Sequence, residues 1–242
     1  MTEMPSNPYE APKADLNAQP AQVGQSGSLE DGIAGRYDFD IGEVMREAWG
    51  ITKGMKGSFW GAALILYAIM FVTAFVGGYV FGHNLVGRVV LNIFVAAASS
   101  ILGIGIAMMG VRRAAGLAIN FSTAFNYFDR ALNVFLAILL STLLIYLGLI
   151  LLLVPGVYLA IAFCLTMPLI GDRNLGPWQA METSRKAVTK RWFQFLGLFL
   201  VVGLVVIVSA IPLGIGLIWT APWSINVIGV VYRRVFGVAQ TA

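Results

Sequence analysis

Six long apolar runs, none containing an aspartate, glutamate, lysine, arginine or histidine, constrain this chain more than any other feature. They fall at about residues 58–81, 89–111, 133–154, 156–171, 193–210 and 211–231. A helix needs about 20 apolar residues to cross about 30 Å of hydrocarbon. A chain in lipid must satisfy its own backbone, which helices do within one segment. The runs therefore predict an all-α integral membrane protein with six transmembrane helices. The third run meets the length requirement with ease. The fourth is short and carries Pro168 near its end. Composition agrees: hydrophobic residues make up 58% of the 242 and charged residues 12%, with a mean hydropathy of +0.80. Soluble domains carry about twice that charged share.

The positions of the cations set the orientation. Of the 16 lysines and arginines, every one but Arg88 falls before the first run, between the second and third, between the fourth and fifth, or after the sixth. The positive-inside rule puts those segments, and both termini, in the cytoplasm. The runs then pair into three hairpins with short outer turns. Charge alone does not require runs three to six to cross fully, because a re-entrant hairpin also keeps both feet on one side.

Each hairpin is preceded by a segment with a helical face. Asp40-Ile-Gly-Glu43 has the form of a capping box. Ile41, Val44, Met45, Ala48, Trp49, Thr52 and Met55 then trace one stripe of a helix over 41–56. Phe121–Leu132 is a second such segment, with Ser122 as its expected cap and Phe125, Phe128 and Leu132 on one face. Pro177–Arg191 is a third, with proline at the first helical turn and Trp178, Met181, Val188 and Trp192 roughly aligned. These are expected to be amphipathic helices on the cytoplasmic surface. Residues 1–35, rich in Pro, Ala, Gln and Ser without apolar periodicity, read as a disordered cytoplasmic leader; residues 36–242 form the membrane domain.

The sequence carries no recognisable catalytic constellation. There is one cysteine, Cys164, and one histidine, His83, which stands in a short outer loop without triad partners. No P-loop, dinucleotide fingerprint or zincin motif is present. The expectation is therefore no catalytic residue, no cofactor-binding residue, no metal ligand and no enzyme activity. Polar groups inside the runs are mild: Asn92, Ser99, Ser100, Ser141, Thr142, Thr166, Ser209, Thr220, Ser224 and Asn226. They are expected to bond to neighbouring helices. Two further readings stay open beside that one. Pro222 interrupts the sixth run and, with Asn92, Ser224 and Asn226, could line a cavity for a small molecule or lipid. Glycines at 57/61, 78/82 and 103/110 could seat helices within the chain or between copies. Arg185, Lys186, Lys190 and Arg191, just before the fifth run, suit contact with anionic lipid. The partners expected are the lipid bilayer, anionic lipids, and a membrane-protein partner or second copy. Nucleic acid is excluded, since the cations follow the membrane boundary instead of forming a basic domain.

The stretch VPGVYLAIAFCLTMPLIGDRNLGPWQAMETSRKAVTKRWFQFLGLFL, from Val154 to Leu200, resembles bacterial six-span inner-membrane proteins of the YciC type. It carries a Pro-Gly turn at Pro155-Gly156, an apolar run ending at Pro168, a polar turn at Asp172, an Ala180-x3-Ser184 surface helix, and Trp192 before the next run. The resemblance implies a multi-pass protein of the bacterial inner membrane in a family whose molecular activity is largely undefined. It supplies structural motif residues and no catalytic ones. On this basis the chain is expected to organise or regulate envelope partners through its cytoplasmic face; the alternative is transport or handling of a lipid or small molecule.

Overall fold

A computed structural model describes residues 27–81 and 84–239 of the chain. Among them all regular structure is helical. Ten α-helices are present: α1 (Leu29–Ala34), α2 (Ile41–Ile51), α3 (Lys56–Phe81), α4 (Leu85–Ala114), α5 (Ala131–Leu151), α6 (Leu153–Ala162), α7 (Thr166–Arg173), α8 (Pro177–Lys190), α9 (Trp192–Ala210) and α10 (Leu217–Phe236). Five segments are long and apolar enough to cross a membrane: α3, α4, the stretch through α5, α6 with α7, and α9. Their outward faces carry large apolar side chains such as Phe71, Phe75, Leu139, Ile150, Leu204 and Ile207. A water-soluble protein does not present so large an apolar surface.

The fold begins earlier than the composition of the leader suggests. Ser28 caps α1 by accepting from the Asp31 amide, and Gly35 closes it in the left-handed region at φ 78°. Gly32 of α1 lies against the Phe236 ring, where a Cβ would clash. So residues 28–35 are ordered by packing onto the end of α10. Residues 1–26 of the expected leader lie outside the described residues, as do Gly82 and His83.

Asp40 caps α2 as its spacing predicts, accepting from the Glu43 amide at 2.8 Å. The reciprocal half of the box is not made; the Glu43 carboxylate turns to Arg234. α2 ends at Ile51 and α3 already begins at Lys56, so the expected single helix over 41–56 is two.

Three other elements depart from the sequence reading. The Phe121–Leu132 segment is two short 3-10 turns, Phe121–Phe125 and Phe128–Arg130. Its cap is Asn120, not Ser122: the Asn120 side chain accepts from the Thr123 amide while the Thr123 hydroxyl accepts from the Asn120 amide. Phe128 and Leu132 are exposed and do not form a buried face. Pro155-Gly156 is not the reversal between the third and fourth runs. The chain turns at Leu152, whose backbone is extended, and Pro155 sits in the first turn of α6, where its missing amide is harmless. Gly156 instead lets α6 meet α5 closely, because a Cβ there would strike Leu149. Finally, residues 211–216 form a turn, so the sixth run gives a helix starting at Leu217 and ending at Phe236.

Within α10 the helix stays continuous through Pro222. Proline removes the amide that would bond to the carbonyl of residue 218. The Trp60 indole N–H from α3 donates to that Ile218 carbonyl at 3.1 Å. A neighbouring helix thus supplies the missing donor, which is how lipid-embedded helices tolerate proline.

Candidate site: a polar junction at the charged ends of the helices

The helices converge where their arginines cluster, and the charged groups there bind one another. Arg233, near the end of α10, is 5% exposed. Its guanidinium donates to the Ala114 carbonyl at the end of α4 at 2.7 Å and to Glu47 of α2 at 2.5 Å. Arg234 bonds the other Glu47 oxygen at 2.9 Å and reaches Glu43 at 3.4 Å. Glu43 and Glu47 stand four apart on α2, one helical turn, so they face the same arginine pair. Arg113 completes this corner by donating to the carbonyls of Ile51 and Lys53, the last turn of α2 and its loop. These arginines satisfy carbonyls left open at helix ends and also carry the charge opposite to the carboxylates.

A second corner forms between α7, α10 and the chain after it. Asp172, 5% exposed, accepts from the Tyr232 hydroxyl at 2.8 Å and from the Ala239 amide at 3.0 Å. Arg173 donates to the Phe236 carbonyl at 2.6 Å, and Arg130 donates to the Gly171 carbonyl. Asp172 therefore ties the chain end to α7.

The Ala180-x3-Ser184 pattern has a specific use. The fourth run breaks into α6 and α7 at residues 163–165. Ser184 of α8, fully buried, donates to the Ala162 carbonyl at 2.7 Å and accepts from the Leu165 amide at 3.2 Å. One hydroxyl thus satisfies both helix ends at the break. Pro168 falls in the first turn of α7, where no helical bond is lost. Ala180 packs without exposed surface, allowing α8 to approach closely. Trp192 donates to the Tyr158 carbonyl at 3.4 Å, and the Tyr158 hydroxyl meets Thr189 at 2.6 Å. Met181 and Val188 are buried as expected of one apolar face, but Trp178 is 62% exposed and stands off it.

The cations of α8 are partly engaged. Arg185 makes two bonds to Glu182, at 2.8 and 2.7 Å, and Lys186 lies 3.6 Å from the same carboxylate. The hydrogen bond from Arg185 holds Glu182 below the usual carboxylate range. Arg191 pairs with Asp38 at 3.1 Å, and the stem of Lys190 backs onto Gly35. Tyr37 lies nearby, donating its hydroxyl to the Ala187 carbonyl. Burial pushes that hydroxyl's pKa up, so it remains a donor through the physiological range.

The four residues read as a cavity lining are not brought together as one. Asn92 is exposed on the outer half of α4. Asn226 is fully buried and donates to the Thr52 hydroxyl at 2.9 Å. Pro222 is buried within α10, and Ser224 donates to its own helix at the Ala221 carbonyl. Half of the ten polar groups named in the apolar runs behave like Ser224. Ser100, Ser141, Ser209 and Thr220 all bond back to carbonyls three or four residues earlier, not to neighbouring helices. Asn226 instead reaches Thr52, and Gln194 of the fifth run donates to the Phe39 carbonyl before α2. Gly110 meets Ile225, and Gly229 meets the Gly110 backbone, so the small residues of α4 seat α10 within one chain.

Sequence reasoning missed Glu47, Trp60 and Tyr232. The signal for Glu47 was present: an acidic pair four apart on a helix, in a chain whose last helix ends in adjacent arginines. Trp60 and Tyr232 had no such signal, since each acts through one bond to a distant segment. Among the described residues no cluster of three histidine, cysteine, aspartate or glutamate side chains could hold a metal ion. Comparison with protein-family models, curated proteins and solved structures finds no match to this chain.

Proposed function

We propose that this chain is a non-enzymatic organiser or regulator of envelope partners. It sits in the bacterial inner membrane with both termini cytoplasmic, and its membrane segments form three hairpins of the YciC type. The observation that carries this reading is the self-pairing of the charged junction. Arg233, Arg234, Glu47, Arg173 and Asp172 bond one another or backbone. Groups held this way build a rigid face; they are not presented to a substrate. Lys186 and Lys190 on α8, and Trp178 at its start, are exposed, as are Arg46 and Trp49 on α2. Cations at this level suit anionic headgroups, each contributing about 1 kcal/mol near a charged leaflet.

Purification in lipid nanodiscs drawn from native membrane, followed by mass spectrometry, tests this. The expected result is a stoichiometric protein partner that is lost in a Trp178→Ala, Lys186→Glu, Lys190→Glu variant of normal stability. Retention of a lipid or small molecule with no protein partner would replace this reading with lipid or small-molecule handling.

A further inference from the structure

The charged groups of α2 divide by face. Glu43 and Glu47 turn to Arg234 and Arg233 of α10. Arg46, Trp49 and Lys53 lie off that face and are all exposed. Their spacing of three and four is that of one helical stripe, which runs out of α2 into the turn after it. Lys56 then opens α3, with its ammonium 4.9 Å from the Trp219 ring of α10. Among the described residues none of Arg46, Lys53 and Lys56 pairs with a carboxylate. Arg113 of α4 adds a further cation beside them, through its bond to the Lys53 carbonyl. Unpaired cations of this kind belong at a membrane boundary.

The cations of α8 are held differently. Arg185 and Lys186 share Glu182, and Arg191 pairs with Asp38. Charge left open to an anion is therefore concentrated at the α2–α3 corner, although the sequence pointed to α8.

The tryptophans of the corner also divide. Trp60 and Trp223 donate their indole N–H groups to the Ile218 and Met45 carbonyls. Trp49, 51% exposed beside Trp223, and Trp219, 41% exposed beside Lys56, have no acceptor for theirs among the described residues. Indoles placed so, beside cations, are typical of the headgroup level of a bilayer.

From this corner outward the surface turns apolar in step. Lys56, Trp60, Leu64, Tyr67 and Phe71 follow one face of α3 at spacings of four, four, three and four. Leu64, Tyr67 and Phe71 are exposed. From Lys56 to Tyr67 is eleven residues, about 16 Å of helical rise. That is close to half of the about 30 Å of hydrocarbon in a bilayer. Cation, then indole, then exposed apolar side chains is the polarity order of a phospholipid from headgroup to acyl chain.

We propose that the corner between α2, the start of α3 and the start of α10 binds one anionic phospholipid. Its phosphate is taken by Lys53, Lys56 and the Trp219 indole N–H, with Arg46 and Trp49 at the edge of the site. Its acyl chains lie along Leu64, Tyr67 and Phe71. A free oxyanion would use the cations alone, so the apolar stripe in line with them is what commits the site to lipid. The site stands whether or not the α8 face holds a protein partner.

The test uses the full chain in detergent micelles, titrated with phosphatidylglycerol or with phosphatidylcholine of the same acyl chains and read by native mass spectrometry. The expected result is one bound phosphatidylglycerol, in preference to phosphatidylcholine. One cation near an anionic headgroup is worth about fivefold in binding. Lys53→Gln with Lys56→Gln should therefore weaken phosphatidylglycerol binding roughly thirtyfold, and Lys53→Arg with Lys56→Arg should retain it. Lys186→Gln with Lys190→Gln, on α8, should leave it unchanged. Equal affinity for the two lipids, or an equal loss in the α8 variant, would overturn the proposal. Displacement of the lipid by inorganic phosphate at matching concentration would overturn lipid as the ligand. A second readout needs no variant. In phosphatidylcholine nanodiscs, phosphatidylglycerol brominated on its acyl chains should quench tryptophan emission more than equally brominated phosphatidylcholine at the same mole fraction. Four of the six tryptophans, Trp49, Trp60, Trp219 and Trp223, stand at this corner. Equal quenching by the two lipids would overturn the site.

Discussion

The inner ends of α3 and α4 and their outer halves have similar composition and entirely different surroundings. At the inner end, Phe59, Ala62 and Ala63 of α3 and the preceding Met55 form a buried cluster with Met109 of α4 and Ala124. Beyond Leu64 the same two helices touch little but each other. Hydropathy does not distinguish these halves, since both are runs of apolar residues. The difference lies in what the neighbouring charges hold in place. Around the inner ends, arginines, carboxylates and helix-end carbonyls pair and draw the remaining helices together. Along the outer halves the described residues include one charged group, the exposed Arg88 of α4, and no ion pair. Packing density in this protein therefore follows its polar contacts, as expected where lipid removes the hydrophobic drive between helices.

That contrast predicts a gradient of mutational sensitivity, measured as stability by unfolding titration in mixed micelles. The largest effect is expected at Arg233. Arg233→Ala leaves the Ala114 carbonyl without its donor and Glu47 with one arginine instead of two. Breaking a buried charged pair costs on the order of 3–5 kcal/mol. A change under about 1 kcal/mol would mean that the inner junction does not hold the helices together.

Gly229→Ala comes next. A Cβ there meets the Gly110 backbone of α4, which has no flexible side chain to yield. Overpacking of this kind costs about 1–3 kcal/mol, and the variant should also loosen α10, seen as faster amide exchange over Leu217–Phe236. Ser184→Ala follows, at about 1–3 kcal/mol, because one hydroxyl satisfies two buried backbone groups at the α6–α7 break.

Trp60→Phe sharpens the comparison within α3 itself. It should cost about 1 kcal/mol by leaving the Ile218 carbonyl without a donor. Restoring a backbone amide with Pro222→Ala should make the Trp60 bond largely redundant, so the double variant should lose less than the two single losses added. Strict additivity would show that Trp60 does not compensate for the proline. The smallest effect belongs to the outer hairpin: Gly78→Ala, with open space around it, should not destabilise and should add at most the about 0.5–1 kcal/mol that alanine gains over glycine inside a helix.

Much of this arrangement was legible in the sequence, and the limits are instructive. Five segments long and apolar enough to cross a membrane followed from the apolar runs, and the Asp40 cap from its spacing to Glu43. Ser184 stood out by its pattern with Ala180, although the break it fills did not. Pro155-Gly156 looked like a reversal because that pair favours turns, yet a proline in a first helical turn looks the same in sequence. The second surface segment failed as an α-helix because Asn120 and Thr123 close a tight local box, a competition between side chain and backbone that apolar periodicity cannot register. Pro222 suggested a broken helix because its remedy, Trp60, lies 158 residues away in the chain. Above all, which helix end each arginine closes was not encoded in hydropathy, because Arg233, Arg113 and Arg173 reach segments distant in the chain.

The most direct test of this account is electron cryo-microscopy of the protein in a lipid nanodisc, with the disc's two headgroup layers visible around it. The account predicts that the inner helix ends, joined by Arg113, Arg233, Arg234 and Glu47, lie packed together at one headgroup layer, while the outer halves of α3 and α4 contact only lipid and each other. Lipid between the inner ends, or other helices of the chain packed along the outer halves, would contradict it.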